Sequence, residues 1–281
     1  MFLSPKTFAC NGFFATPSLM KWTSKVKNDC PVTSQGVLPS CWSNASSELM
    51  TRYLRKKGIL KKDEVLSYEY YFAKEIENKT ASFTEVEEES FGASLAKFLE
   101  LLEDYGIITE AHYQFPIVGS GDITHKKTYK TFIEELNKSS NKKEVFNKYL
   151  ATDKVNPEGI FLQSPQFISV KGTSEQDFLQ MQKQIDNGLP IYMSIKTSKW
   201  LVNTMSTYAY NGLHLSFVKP QDKVTHALLI MGYKLNKKGQ ISHFLIKNSD
   251  GHYFGEKGYA ILDRETYLKY IDGIYLLNEE I

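Results

Sequence analysis

A cysteine at the start of a predicted helix is the clearest candidate in this chain for a chemically reactive side chain. Cys41 follows Gln35 by six residues in the stretch QGVLPSCW, and a run of helical periodicity that closes at Gly58 begins directly after it. The N–H groups and the dipole at a helix N-terminus favour the thiolate, which is the nucleophilic form of the side chain. Cys41 is therefore a candidate nucleophile, and a small buried apolar residue is the alternative interpretation.

A nucleophilic cysteine needs a base, and His226 is the candidate among six histidines that comes with a partner. His226 opens the apolar strand THALLIMGY, while His243 opens a second strand that ends at Asn248. The connection KLNKKGQ between them has the composition of a hairpin loop, so Asn248 is expected beside His226. An asparagine oxygen accepts the imidazole N–H and holds its tautomer. Together these residues predict a Cys–His–Asn arrangement, whereas a structural histidine at a strand end is the alternative.

The elements that must position these residues change in kind halfway along the chain. Apolar residues at helical spacing predict helices over 42–57, 68–76 and 95–105, and the lysine-rich segment 127–151 predicts one or two exposed helices. A further helix is expected over 178–185. Short β-rich runs predict strands over 167–170, 191–195, 226–233, 243–247, 259–262 and 274–277. Helices followed by antiparallel strands predict an α+β fold of two lobes with a cleft between them.

Composition limits the classes of function. The formal net charge of +2, from 34 basic and 32 acidic residues, does not indicate a nucleic-acid partner. No apolar run approaches the roughly 20 residues that span a bilayer, so no membrane span is expected. The cysteines and histidines lack metal-ligand spacing, and we expect neither a metal nor another cofactor.

The three cysteines leave the redox compartment open. Cys10 could bridge Cys30 while Cys41 stays a thiol, or all three could be reduced. Export is slightly favoured over a cytoplasmic location. Residues 1–21 are expected to be an N-terminal extension or the remnant of a pro-segment.

Several segments taken together resemble the papain-type cysteine peptidases. PVTSQG…SCW at 31–42 is similar to the family block that ends in the nucleophile, and 210–233 resembles the segment with the family histidine. FLIKNSDGHYFGEKGYAIL at 244–262 resembles the segment with the NSWG pattern, and Trp22 resembles the tryptophan that opens the mature domain. The pattern is most similar to the bacterial aminopeptidase C and bleomycin hydrolase branch, and it covers about 22–277.

The resemblance implies a papain-like catalytic domain over 22–281, with a helical left lobe at about 22–120 and an antiparallel, β-barrel-like right lobe at about 121–281. It implies a cysteine peptidase that acts on a peptide or protein without a cofactor. The exopeptidase trimming and hexamer assembly of that branch are not expected for this chain, and a monomer is the expectation. The implied catalytic residues are Cys41 as nucleophile, His226 as base and then acid, Asn248 as the residue that orients the imidazole, and Gln35 as oxyanion donor. The implied substrate-binding residues are Gly92, Phe91 and Thr225, and a purely structural turn is the alternative for Gly92.

The chain departs from the family pattern at Asp250, where the family has a tryptophan after Asn-Ser. A carboxylate cannot shield the histidine and asparagine from water as an indole does, and we expect it instead to raise the pKa of His226. A catalytically weak binding module is one alternative: the intact set of Cys41, Gln35, His226 and Asn248 argues against it, whereas Asp250 and the bulky Phe91 argue weakly for it. An acyltransferase or deamidase that uses the same triad is a further alternative.

Overall fold

The computed structural model describes residues 21–27, 30–35, 38–82, 92–113, 123–150, 163, 165–197, 224–252 and 254–278 of the 281-residue chain. These residues form two compact units. The first consists of the described residues between 34 and 163, and the second of those in 21–33 and 165–278. Along the chain, residues 21–33 therefore belong to the second unit, residues between 34 and 163 to the first, and residues from 165 onwards again to the second. The sequence had predicted a lobe boundary near residue 120.

The described part of the first unit contains five helices. They are α1 (Cys41–Lys56), α2 (Tyr68–Ser82), α3 (Leu95–Tyr105), α4 (Ile123–Lys138) and α5 (Lys142–Tyr149). The helices expected over 42–57, 68–76 and 95–105 are confirmed, although α2 continues for six residues past its predicted end. The ends of α3 show the local reason: the Ser94 side chain accepts the N–H of Lys97, and Gly106 follows the last turn with a φ of 71°.

Aromatic side chains fill the core of the first unit. The ring centroids of Tyr71 and Phe98 are 4.6 Å apart, and those of Trp42 and Phe72 are 6.4 Å apart. Burying a side chain of this kind stabilises the fold by about 1.5–3 kcal/mol, so these pairs hold α1 against α2 and α2 against α3. This core fixes the helix whose first residue is Cys41.

The lysine-rich segment forms the two helices α4 and α5, but its expected exposure was wrong on one face. Phe132 and Leu136 on α4 are fully buried, and Phe146 on α5 is also buried, with its ring centroid 6.1 Å from that of Phe132. Apolar residues recur among the lysines at helical spacing, and burial of that stripe lets two charged helices pack together.

The described part of the second unit is an antiparallel sheet with two helices. The strands are β1 (Ser24–Lys25), β2 (Phe167–Val170), β3 (Ile191–Thr197), β4 (Val224–Leu235), β5 (Ile241–Lys247), β6 (Tyr259–Asp263) and β7 (Ile271–Leu277). Their order is β2-β7-β3-β4-β5-β6, and β1 pairs with β4. In the described residues this order is an open path and not a closed barrel, so the implied barrel-like lobe is corrected to an open sheet. The α+β class is confirmed.

The two helices of the second unit, α6 (Glu175–Asp186) and α7 (Arg264–Tyr270), cover the sheet with aromatic contacts. The ring centroid of Tyr267 on α7 is 4.5 Å from that of Phe244 and 6.1 Å from that of Phe178 on α6. The α7 helix was not predicted, because its seven residues lie between two strands and form only about two turns. Asp263 supplies the cap by accepting the N–H of Thr266 at 2.9 Å.

The β4–β5 hairpin brings the end of β5 beside the start of β4. Asn236 closes the turn by accepting the N–H groups of Lys238 and Gln240 at 2.9 and 3.1 Å. Within the ladder, Leu229 is paired with Lys247. Continued past β5, this register puts position 248 diagonal to position 226 on the same face of the sheet, since side chains alternate along a strand.

Candidate active site

Cys41 is the first residue of α1, one residue earlier than the start predicted for this helix. Its side chain is partly exposed. The first turn of α1, which is described in full, contains no acidic side chain. The N–H groups and the dipole of the helix N-terminus therefore favour a negatively charged thiolate at this position.

Gln35 lies buried ahead of the same helix, with 7% of its surface exposed. Its side-chain Nε2 donates to the carbonyl of Leu38 at 2.9 Å, and the backbone N–H of Leu38 donates back to the carbonyl of Gln35 at 3.2 Å. These two bonds form a closed turn that fixes the amide group. The bond to Leu38 sets the direction of one N–H of the Gln35 side chain, and the planar geometry of the amide then sets the direction of the other N–H.

The structure brings His226 and Asn248 together in the second unit. Nε2 of His226 lies 2.8 Å from Oδ1 of Asn248, and the two residues are only 4% and 3% exposed. The backbone N–H of Ser249 donates to the same Oδ1 at 2.8 Å, which identifies this atom as the oxygen of the amide. Because an oxygen can only accept, the hydrogen of the imidazole lies on Nε2 and the lone pair of the neutral ring lies on Nδ1.

Asp250 completes this hydrogen-bond network. Nδ2 of Asn248 donates to Oδ2 of the Asp250 carboxylate at 2.7 Å. Burial raises the pKa of Asp250 above its ordinary value, while the charge of His226 and the hydrogen bond from Asn248 act in the opposite direction. The carboxylate is thus close enough to His226 for their charges to interact. The sequence located Asp250 near the pair but did not indicate its contact with the amide.

A buried lysine directly before Asn248 is the functional neighbour that sequence reasoning missed. Lys247 is 4% exposed, and its Nζ donates to the carbonyls of Cys30 and Pro31 at 3.2 and 3.0 Å. Its ammonium also lies 5.8 Å from the centroid of the Tyr259 ring. The signal in the sequence was a lysine at the end of the apolar run FLIK, since all four residues of this run are buried and the strand is covered on both faces there.

The expected substrate-binding residues occupy different surroundings. Gly92 is exposed, and its carbonyl accepts a hydrogen bond from Nζ of Lys79 at 2.8 Å. Thr225 is an exposed residue of β4, and Phe91 lies outside the described residues.

The disulfide expected between Cys10 and Cys30 stays a prediction. Cys30 is buried, whereas Cys10 lies outside the described residues. Of the residues expected to be catalytic, Cys41 and Gln35 belong to the first unit, and His226 and Asn248 belong to the second.

The described residues also bear on two other kinds of site. Across the described ranges, no three His, Cys, Asp or Glu side chains gather in the way that a metal ion requires. None of the helices described has the length and apolar character needed to cross a bilayer.

Comparison with known proteins places the chain in a family. The family described as "Papain family cysteine protease" matches residues 16–273. Serine-repeat antigen protein 5 of Plasmodium falciparum is 24% identical over 207 residues, which are 68% of this chain and 19% of that protein. The chain thus spans about a fifth of the length of this curated relative.

Solved structures show the same fold at low sequence identity. PepW from Lactobacillus rhamnosis has a TM-score of 0.54 at 14% identity, covering 92% of this chain and 82% of that one. Xylellain, a cysteine protease from Xylella fastidiosa, has a TM-score of 0.55 at 18% identity, covering 93% and 88%. SERA5E from Plasmodium falciparum has a TM-score of 0.54 at 19% identity, covering 89% and 90%. The sources of these relatives differ, so they do not assign the chain to bacteria, as the resemblance had suggested.

The family match extends over most of the chain and includes the segments of Gln35, Cys41, His226 and Asn248. It agrees with the α+β fold and with the resemblance seen in the sequence. The chain therefore belongs to the papain family of cysteine proteases, a family of cysteine-type peptidases.

Proposed function

We propose that this chain is a cysteine peptidase that hydrolyses peptide bonds through Cys41, His226 and Asn248. The observation that carries the proposal is the 2.8 Å hydrogen bond between Nε2 of His226 and Oδ1 of Asn248, in a chain of the papain family. This bond fixes the tautomer whose Nδ1 can accept a proton. The His226 ring can therefore act as a general base.

The reaction proceeds in two halves. Nδ1 of His226 takes the thiol proton of Cys41, and the thiolate adds to the peptide carbonyl carbon while the carbonyl electron pair moves onto oxygen. As the C–N bond breaks, the imidazolium gives its proton to the leaving nitrogen, which departs as an amine and leaves a thioester on Cys41. Water then adds to the thioester and passes a proton to Nδ1. The C–S bond breaks, and the acid product leaves the thiolate paired with the imidazolium.

The charge that develops on the carbonyl oxygen needs donors held in advance. We assign this role to the side-chain amide of Gln35 and the backbone N–H of Cys41. The bond from Gln35 to Leu38 supports the assignment because it fixes the amide plane before substrate arrives. The N–H of Cys41 is one of the four at the start of α1 that intrahelical bonds leave for other acceptors. Replacing Gln35 with alanine is expected to lower kcat by about 10²–10³-fold.

Gly92, Phe91 and Thr225 are proposed to bind the substrate. At Gly92 an added Cβ would have no heavy atom of the described residues within 4 Å, which favours a close approach of a peptide to this backbone. Lys79, which is also paired with Glu75 at 3.2 Å, holds the Gly92 carbonyl by its Nζ. Changing Lys79 to methionine is expected to raise KM about two- to fivefold without changing kcat, since one partly exposed hydrogen bond is lost.

Thiol labelling tests the proposal directly. Iodoacetamide at pH 6 should alkylate Cys41 about tenfold faster than a simple thiol, because an ordinary cysteine is almost fully protonated there. His226→Ala should reduce this rate to that of a simple thiol. Mass spectrometry of tryptic peptides separates Cys10 from the other two cysteines, and because Cys30 and Cys41 share the tryptic peptide 28–52, its fragment ions locate the label on Cys41.

The matched control is His243→Gln, which removes another imidazole of the same sheet and should leave the labelling rate unchanged. Blocked and unblocked fluorogenic peptides then measure hydrolysis, with Cys41→Ala as the inactive variant. The proposal is refuted if Cys41 labels at the rate of a simple thiol in the wild-type chain, or if Cys41→Ala keeps the peptidase activity. Transfer of the acyl group to an added amine in preference to water would instead identify an acyltransferase.

A further inference from the structure

Asp250 is placed to control which end of the Asn248 amide faces His226. The amide of Asn248 has two ends of different character, an oxygen that accepts and an NH₂ group that donates. Oδ1 faces Nε2 of His226 at 2.8 Å, and Nδ2 faces the Asp250 carboxylate at 2.7 Å. An ionised carboxylate can only accept, so it selects the NH₂ end for itself and leaves the oxygen for the imidazole.

The orientation of this amide decides whether the imidazole can serve as a base. If the amide turned over, its NH₂ group would face Nε2, and the ring would have to carry its hydrogen on Nδ1 to avoid two opposed donors. The neutral ring would then have no lone pair on Nδ1 to accept a thiol proton. The N–H of Ser249 also selects the correct orientation, through its 2.8 Å bond to Oδ1, but this bond acts on the oxygen end alone.

We propose that Asp250 is a positioning residue for the peptidase reaction, which holds the Asn248 amide with its oxygen towards His226 and stabilises the imidazolium with its negative charge. The proposal rests on the proposed function of the Cys41–His226 pair. It assigns a role to the position at which this chain departs from the tryptophan of its family. An indole in that place covers the pair, whereas a carboxylate binds one member of it and carries a charge.

The strands that pair with β4 carry few charged groups. Their titratable side chains in the described residues are Lys25 on β1, Tyr192 and Lys196 on β3, and His243 and Lys247 on β5. Lys196 lies 3.4 Å from the carboxylate of Asp272, and Lys247 is directed to two backbone carbonyls. Nδ1 of His243 contacts the hydroxyl of the adjacent serine at 3.0 Å. Asp250 is the carboxylate whose charge interacts with the imidazole, and this interaction stabilises the charged form of both groups.

Nitrogen NMR of the histidine-labelled chain measures both effects without any need for activity. In the wild-type chain, neutral His226 is expected as the Nε2–H tautomer. Asp250→Ala should produce a mixture with the Nδ1–H tautomer. Asp250→Asn can still accept from Nδ2 but has no charge, so His226 should keep its tautomer and titrate about one pH unit lower. The His226 signals are assigned by their loss in His226→Gln.

Kinetics test the consequence for the reaction. Asp250→Ala should lower kcat about tenfold with little change in KM, as is usual when a partner that orients a functional histidine is removed. The control is Asp272→Asn, which removes an exposed carboxylate of the same unit and should change kcat by less than twofold.

The positioning role is overturned if Asp250→Ala keeps the wild-type tautomer or a kcat within twofold of the wild-type value. If the alanine variant does not fold, the isosteric Asp250→Asn variant decides, and an unchanged titration midpoint overturns the proposal. A wild-type chain that hydrolyses no peptide would refute the proposed function alone, since the NMR comparison does not depend on turnover.

Discussion

Replacing Lys247 with methionine is expected to loosen the segment that leads to Gln35. The ammonium of Lys247 is buried and donates to the carbonyls of Cys30 and Pro31 at 3.2 and 3.0 Å. These carbonyls lie on a stretch with little regular structure, four and five residues before Gln35. Methionine has a similar length and fills the same space, but it donates nothing.

The expected change in the free energy of unfolding is the sum of opposing contributions. Hydrogen bonds to a charged group contribute about 1.5–3 kcal/mol each, so two of them contribute about 3–6 kcal/mol. Removing the ammonium also removes the cost of burying it, which is several kcal/mol in real proteins. The carbonyl of buried Cys30 then stays without its donor, at a cost of about 1–3 kcal/mol, whereas that of the partly exposed Pro31 regains water. We therefore expect a net loss of about 2 kcal/mol, or about 4–8 °C in Tm.

Hydrogen exchange measured by mass spectrometry gives the local assay. In Lys247→Met, peptides that cover residues 21–33 should exchange about thirtyfold faster, because 2 kcal/mol less is needed to open them. Lys171→Met, at an exposed lysine of the same unit, is the control and should stay within about 0.5 kcal/mol of the wild-type stability. If Lys247→Met melts within one degree of the wild-type chain with unchanged exchange, the reasoning fails, since the hydrogen bonds then only offset the burial of the charge.

Two further predictions concern the second unit. Gly258 has a φ of 91°, and a Cβ there would clash with Cγ1 of Val32, whereas a Cβ at Gly239, with a φ of 76°, would have no heavy atom of the described residues within 4 Å. Gly258→Ala should therefore lose about 2 kcal/mol more than Gly239→Ala in urea unfolding, and equal losses would contradict the clash. The Tyr233 hydroxyl donates to the Asp186 carboxylate, and burial together with that hydrogen bond and charge raises the pKa of Tyr233 to about 12. A raised pKa stabilises the fold at pH values below 10, the pKa of tyrosine in the unfolded chain. The wild-type chain should therefore lose stability relative to Tyr233→Phe between pH 10 and 12. A constant difference in melting temperature across that range would exclude this coupling.

The sequence allowed prediction of those features that depend on local periodicity. The face of α3 illustrates both the success and its limit: of the apolar residues at helical spacing, Leu95, Phe98, Leu101 and Leu102 are buried, whereas Leu99 is only half-buried. Helical spacing defines a stripe but not its width, which depends on the neighbouring helices. The strands β4 and β5 could be predicted with their hairpin loop, and this placed Asn248 near His226 before any geometry was available.

Features that depend on distant contacts could not be predicted. The two-residue strand β1 is too short to have a period, and its pairing with β4 joins positions about 200 residues apart. The buried ammonium of Lys247 finds acceptors more than 200 residues earlier in the chain, and nothing local to FLIK indicates them. For Asp250, the sequence showed a departure from a pattern, but the direction of the Asn248 amide depends on three hydrogen bonds that only coordinates reveal.

The path of the chain through its two units has a consequence for biosynthesis. Thr23 accepts the N–H of Leu235 across 212 positions, so the sheet uses a segment that is synthesised long before its partner. At ribosomal speeds of about 5–20 residues per second, roughly 10–40 seconds separate the two. The helices between residues 41 and 149 complete their own contacts in that interval. During translation the helical part should therefore fold first. Until β4 has been synthesised, the segment around Thr23 should have unpaired backbone N–H groups that chaperones or other nascent chains can bind.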